Sequence, residues 1–336
     1  MGIMIGGMNK VIDTVDEIKK IMDKRGGLKN VSFVACGGSF ASSYPARYMM
    51  NAESTTLYIA GYNSNEFVYA TPKNIDQNSL VVCTSTKATP ETVEALKVAK
   101  KAGAVTIGLT GYEDSLTAQN ADYAIIYYNK DEWYDDPSLV HQNSQGTALK
   151  LGFEILKVFE GYKGYNKAIN AFEQLSEVYG AAYENVKPHA TKFGMTYKDD
   201  KVWNVIASGT AWECAYADAF CFFQEMQTVH CVPIHSGEYF HGAFETTDKD
   251  LAILLIKSVG RTRHLDERVE RFLDQFGGHH YVIDAQELGL EKLDSEVAEY
   301  FNALLIHPIT KQFITAMADI RMHPMSYRRY MWKFNY

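Results

Sequence analysis

The amino-acid sequence predicts an α/β protein with two parallel sheets, one in each half of the chain, each flanked by helices in a three-layer, Rossmann-like arrangement. Three observations predict it. Short β-branched runs alternate with helix-period stretches, the pattern of βα units on a parallel sheet. The alternation gives way to a helical stretch in mid-chain and then resumes. A length of 336 residues exceeds one ordinary core and suits two.

The elements follow in order. Residues 1–29 carry a helical pattern, clearest from Val11 to Lys24. Residues 30–165 read as the first domain, with strand-like runs at Val31 to Cys36, Thr56 to Ala60, Ser79 to Cys83, Ala104 to Leu109 and Tyr123 to Tyr128. The plainest helix between them is Pro90 to Ala102, with Gly103 as its stop. From Gly146 to Lys187 the pattern is helical, broken near Gly161 to Gly164. Residues 166–320 read as a helical connector and a second domain. Its strands are expected at Lys201 to Ala207, Leu251 to Ser258 and His280 to Asp284, and its helices at Ala211 to Val229 and Ile309 to Arg321. The tail, residues 321–336, is rich in arginine and aromatic residues and is expected to pack at the active site rather than hang free.

Composition narrows the function. Hydrophobic residues make up 46% of the chain, ample for two cores and unlike a disordered protein. No apolar run approaches the roughly 20 residues of a membrane-spanning helix, and the first residues lack a charged-then-apolar secretory pattern, so a cytoplasmic protein is expected. Cys36, Cys83, Cys214, Cys221 and Cys231 are odd in number and form no CxxC pair, which favours free thiols over disulfides or a thiolate zinc site. Acidic residues outnumber basic ones by 41 to 33, for a net charge of −8. That balance argues against nucleic acid or an anionic membrane as the main partner. Phosphate binding is left to a local pocket.

In open parallel sheets ligands bind beyond the carboxyl ends of the strands. Two turns stand out there. The first strand runs into Gly37-Gly38-Ser39, and the third into Thr84-Ser85-Thr86-Lys87-Ala88-Thr89, directly before Pro90, a residue suited to the first helical position. Hydroxyls beside unpaired N–H groups at the positive end of a helix dipole make a cradle for a phosphate monoester. Taken alone, the same turn reads more simply as an N-cap at Thr89 among solvated hydroxyls. No P-loop occurs, and the glycines after Cys36 do not complete a dinucleotide-binding fingerprint.

A second concentration lies between Phe222 and Glu245, where Glu225, Glu238 and Glu245 stand with His230, His235 and His241. Glu225 falls in the last turns of the expected helix, where the dipole's negative end should raise its carboxyl pKa. Proton abstraction beside a carbonyl needs such a base. His241, between Phe240 and Gly242, can donate or accept near neutral pH. Glu225 reads equally as a solvated helix-face acid, and His230 and His235 as structural histidines. The spacing of His230, His235 and Glu238 matches no HExxH-type arrangement, so no metal is expected.

These turns, together with YKDDKV (Tyr197 to Val202), HSGEYFHGAFE (His235 to Glu245) and RRYMWK (Arg328 to Lys333), make the chain resemble the aminosugar-phosphate isomerases built from two sugar-isomerase (SIS) domains. That family includes the isomerase half of glucosamine-6-phosphate synthase and the fructosamine-6-phosphate deglycases, with particular likeness here to the 6-phosphofructose-aspartate deglycases. The resemblance covers essentially the whole chain. It implies two five-stranded parallel sheets and a 6-phosphate held by Gly38, Ser39, Thr84, Ser85, Thr86 and Thr89. It also implies Glu225 and His241 as the catalytic pair, supported by Glu238 and His235. A homodimer or dimer of dimers follows from it, with the active site at the interface, His241 arriving from the partner chain, and no metal or organic cofactor. Two departures stand out. Phe222 occupies the place where the synthases carry a ring-opening lysine, and the chain starts without room for their glutaminase. Lys87 and Ala88 replace a glycine and a polar residue, and Lys87 either pairs with phosphate or faces solvent.

The function so implied is a deglycase that converts a 6-phosphorylated Amadori compound, aspartate-type favoured, and water into glucose 6-phosphate and the free amino acid. Arg328, Arg329 and Trp332 are candidates for reading the amine. The alternatives are a hexosamine-6-phosphate isomerase or deaminase, and a non-catalytic SIS module that senses sugar phosphate. A sensor has no use for the Glu225/His241 pair, and no helix-turn-helix or basic stripe accompanies the pattern.

Overall fold

The computed structural model describes residues 7–129 and 136–334. The chain divides into two compact units, Met1–Ser176 and Glu177–Tyr336. In the first, strands β1 (Asn30–Ala35), β2 (Tyr58–Asn63), β3 (Ser79–Thr84), β4 (Val105–Thr110) and β5 (Tyr123–Ile126) form one sheet in the order β2-β1-β3-β4-β5. Every pairing is parallel. The three inner strands β1, β3 and β4 are buried at every position, as a parallel sheet covered on both faces requires.

Among the described residues, seven α-helices lie wholly within this unit: α1 (Met8–Lys24), α2 (Gly37–Ser42), α3 (Tyr44–Glu53), α4 (Ser64–Tyr69), α5 (Pro90–Lys101), α6 (Leu116–Asn120) and α7 (Ser144–Glu160). Helix α1 buries Met8, Val11, Val15, Ile18 and Met22, whose spacing alternates between three and four residues and so keeps them on one face. Helix α7 stops at Gly161, left-handed at φ 66°, whose N–H donates to the Lys157 carbonyl at 3.0 Å; only glycine adopts that conformation cheaply. Helix α8 (Tyr165–Tyr197) then leads from the first unit into the second.

The second unit holds β6 (Val202–Ala207), β7 (His230–His235), β8 (Ala252–Lys257) and β9 (His280–Asp284), all parallel, in the order β7-β6-β8-β9. Among the described residues this sheet has four strands, not the expected five. Strand β7 lies where the sequence reads as a histidine-rich loop containing Pro233. It is an edge strand, the one place in a sheet that tolerates a proline.

The single helix expected from Ala211 to Val229 is instead three pieces: a 3₁₀ turn (Gly209–Ala211), α9 (Trp212–Ala217) and a π-helix (Asp218–Met226). The wider turn ends when Gln227 N–H reaches back to the Phe222 carbonyl at 2.9 Å and Thr228 turns left-handed at φ 52°. Helices α10 (Arg263–Phe276) and α11 (Asn302–Ile320) complete the layers. Each unit keeps its own core: Val34, Val81, Cys83 and Leu96 meet in the first, and Ile206, Tyr239, Leu255 and Leu273 in the second. All five cysteines are free thiols. No helix is long and apolar enough to cross a membrane among the described residues.

Candidate active site

The two sheets correspond strand for strand, β1 with β6, β2 with β7, β3 with β8 and β4 with β9, so their turns can be compared. In the first unit Thr84 ends β3 fully buried, and Ser85 is buried behind it. The Ser85 hydroxyl accepts the Thr89 N–H at 2.9 Å and donates to the Thr89 hydroxyl at 3.1 Å. Ser85 thereby folds the turn. Thr89 occupies the N-cap of α5 without making a side-chain cap bond; its hydroxyl oxygen accepts from Ser85, while its own O–H donates to no described residue. The exposed Thr86 hydroxyl accepts from Tyr127 at 2.9 Å. No described residue accepts from the N–H groups of Thr86, Lys87 or Ala88.

Gly37, left-handed at φ 53°, opens α2 after β1, with Gly38 exposed and Ser39 half-buried in its first turn. Unclaimed N–H groups flanked by hydroxyls at strand ends and helix starts are what an oxyanion needs. Lys87 is exposed, its ammonium 5.8 Å from the centre of the Tyr112 ring.

The matching turn in the second unit is already filled by the chain's own side chains. After β8, the N–H groups of Ser258, Val259 and Arg261 donate to Asp266, Asn302 and Glu299 at 2.9, 2.8 and 3.0 Å. Asp266 also accepts the hydroxyls of Ser236 at 2.6 Å and Ser258 at 2.7 Å. Burial pushes its carboxyl pKa up, and these hydrogen bonds oppose the shift. The Thr210 hydroxyl after β6 donates to the Glu299 carbonyl. Two carboxylates and an amide oxygen thus hold N–H groups of this turn, whereas in the first unit those of Thr86 to Ala88 have no acceptor among the described residues.

Glu225 lies in the π-helix, half-buried, with Oε1 2.8 Å from Nη2 of Arg328. Its carboxyl pKa is raised, as expected, but the main cause is burial, with Arg328 opposing it, rather than the helix dipole. Phe222, one turn earlier, is buried and stacks on the His307 ring at 5.2 Å. It offers no amine where the synthases have their lysine.

His235 ends β7. Its Nδ1 accepts the Gly237 N–H at 3.0 Å, and burial lowers its pKa, which fits a structural histidine that shapes the turn. Glu238 and His241 are exposed on that turn, joined through the His241 N–H and the Glu238 carbonyl at 2.9 Å. The His241 imidazole makes no hydrogen bond with a described residue, and none joins it to Glu225. Within one chain, no hydrogen bond or ion pair among the described residues joins the two residues expected to act together. Among the described residues no cluster of three His, Cys, Asp or Glu side chains could hold a metal ion.

Two features escape sequence reasoning. The Arg328–Glu225 pair joins residues far apart in the chain, and no local pattern announces it. In the first unit Lys150 is buried, with Nζ 3.0 Å from His141 Nδ1 and 2.8 Å from the His141 carbonyl. Burial lowers its pKa to about 7. A lysine at that helical position reads as solvent-facing.

Residues 28–134 match the SIS domain. The fructosamine deglycase FrlB of Bacillus subtilis (strain 168) is 34% identical over 310 residues, 92% of this chain and 93% of that protein. The fructoselysine 6-phosphate deglycase of Escherichia coli (strain K12) is 25% identical over 82% of this chain and 79% of its own. A crystal structure from Salmonella typhimurium LT2, carrying a provisional phosphosugar-isomerase name, superposes with a TM-score of 0.93 at 37% identity, covering 99% of this chain and 100% of that one. The paired parallel sheets, the open hydroxyl turn and likeness along nine-tenths of the sequence agree, and the chain belongs to the SIS-domain family of sugar-phosphate enzymes that includes the fructosamine deglycases.

Proposed function

We propose that this enzyme is a fructosamine-6-phosphate deglycase acting on 6-phosphorylated Amadori compounds, with the aspartate conjugate as its favoured substrate. The observation that carries the reading is the likeness to the Bacillus subtilis fructosamine deglycase over 92% of the chain. Gly38, Ser39, Thr84, Ser85, Thr86 and Thr89 take the 6-phosphate. In the open-chain ketoamine, Glu225 removes a proton from C1 to give an enaminol. Reprotonation at C2 leaves an imine between C1 and the amine nitrogen. Water adds to C1, the C–N bond breaks, and glucose 6-phosphate and the free amine depart.

His241 serves as the second acid/base group, at ring opening or at the C2 oxygen, and Glu238 and His235 hold the turn that presents it. It is supplied by a second copy of the chain in a homodimer. Its exposure, and the lack of any hydrogen-bond partner for its imidazole among the described residues, support that assignment. No metal or organic cofactor is required by this sequence of steps.

The test is direct. The pure protein is incubated with fructosamine 6-phosphates carrying aspartate, asparagine, lysine or no amino acid, and glucose 6-phosphate is followed with a coupled dehydrogenase. The aspartate conjugate is expected to give the highest kcat/KM. Glu225→Gln and His241→Ala are each expected to lower kcat by roughly a hundredfold or more, the usual worth of a general acid or base. Unchanged turnover in both variants removes the pair from the mechanism.

A further inference from the structure

The tail is bound to the segment that carries Glu225 by several independent contacts. Gln227, fully buried directly after the π-helix, donates to the His323 carbonyl at 3.0 Å and accepts from Arg321 at 3.3 Å. The His323 ring meets the Met226 carbonyl at 3.1 Å. Beyond this clasp the chain turns so that Arg328 lies over Glu225, its side chain 11% exposed. Nη1 is spent on the tail's own carbonyls, Met325 at 2.9 Å and Tyr327 at 2.7 Å, and the guanidinium lies 5.4 Å from the Trp332 ring centre. The nearest approach to the carboxylate is that of Nη2 to Oε1, at 2.8 Å, and Nε is buried with no hydrogen-bond partner among the described residues. No described residue hydrogen-bonds Oε2.

We propose that Arg328 is a positioning residue of the reaction, holding Glu225 as an oriented carboxylate with one oxygen engaged and the other free to take the substrate proton. The inference rests on the reading of Glu225 as the base. A fork binding both oxygens would quench a base and fix it equally; a one-point contact orients it and leaves a lone pair available. Burial alone favours the protonated, useless form, and the guanidinium acts against that. Among the described residues, the charged or titratable groups whose electrostatics reach Glu225 are Arg328 from the tail and Cys221 from its own helix. The Cys221 thiol is pushed up to about 12 by burial first and by Glu225 next, so it stays neutral.

The experiment measures kcat and KM for glucose 6-phosphate release across the neutral pH range in Arg328→Met and Arg328→Lys, with thermal unfolding alongside. Removing the cation raises the Glu225 pKa, so the acid limb of the kcat profile is expected to move to higher pH in Arg328→Met. Its kcat is expected to fall roughly tenfold or more through lost orientation, with KM little changed. Arg328→Lys should restore part of both. If Arg328→Met fails to fold, an acid limb of Arg328→Lys displaced to higher pH than that of the wild type carries the same reading. An acid limb that stays put in a folded variant overturns the inference. So does a loss confined to the KM of carboxylate-bearing conjugates while unsubstituted fructosamine 6-phosphate is turned over normally, which would make Arg328 a reader of the amine. A Glu225→Gln variant that keeps turnover sinks the base assignment itself, and an inactive Glu225→Gln beside unmoved Arg328 variants sinks only this inference.

Discussion

Ser85 and Asp266 stand at comparable turns and do opposite things. Ser85 folds its turn with a neutral hydroxyl and leaves three N–H groups without an acceptor among the described residues. Asp266 brings a carboxylate to the turn after β8, where it takes the Ser258 N–H and hydroxyl, while Asn302 and Glu299 take the N–H groups of Val259 and Arg261. A phosphate held by such hydroxyls is bound alike before and during proton transfer, so losing a donor should weaken binding without slowing chemistry. Thr89→Val is therefore expected to raise KM for the phosphorylated substrate about tenfold, the worth of one hydrogen bond to a charged group, and to leave kcat near wild type. A fall in kcat at unchanged KM would place Thr89 in the chemistry instead. At this scale the sequence was informative where residue types cluster locally: Thr84 to Thr89 before Pro90, and Glu225 among histidines. It points to the tail and to Arg328 as a reader of the amine, but not to the pairing of Arg328 with Glu225, because tertiary folding alone brings the tail to the π-helix. The cause of the Glu225 shift was misjudged for the same reason, since burial is not visible along a chain.

Among the elements, the alternation of strands and helices was legible because buried parallel strands are nearly continuous apolar runs, as in β3 and β8. Strand β7 was not, because an edge strand needs only one good ladder, and His230, Pro233 and His235 carry no strand signature. The π-helix was equally hidden. Its extra residue per turn changes no residue type, yet such bulges gather at functional sites, and this one carries Glu225. The filled turn after β8 has a consequence for binding. With Asp266, Asn302 and Glu299 on its N–H groups, the turn after β8 offers no vacant cradle among the described residues. Calorimetric titration with glucose 6-phosphate is expected to saturate at one molecule per chain. Two equivalent molecules per chain would show that the second turn opens to ligand.

For the whole molecule, the repeated sheet-and-helix series was readable from the pause in the pattern near mid-chain, and the likeness to known deglycases extends across both halves. Assembly was not readable from patterns, because a surface that waits for another copy looks in sequence like any other surface. The tail leaves Trp332 77% and Tyr330 63% exposed, more large apolar surface than a short free segment usually shows to water. The turn beside β7 leaves His241 exposed, with no hydrogen-bond partner for its imidazole among the described residues. Both fit a dimer in which each catalytic centre draws Glu225 from one copy and His241 from the other. The most direct test mixes two inactive variants, Glu225→Gln and His241→Ala, under conditions that exchange subunits. Half the dimers are then mixed, and each rebuilds one intact centre of two, so glucose 6-phosphate release is expected to return to about a quarter of the wild-type rate for a twofold-symmetric pair. A mixture as inactive as its components, with exchange shown by mass, would contradict the shared centre.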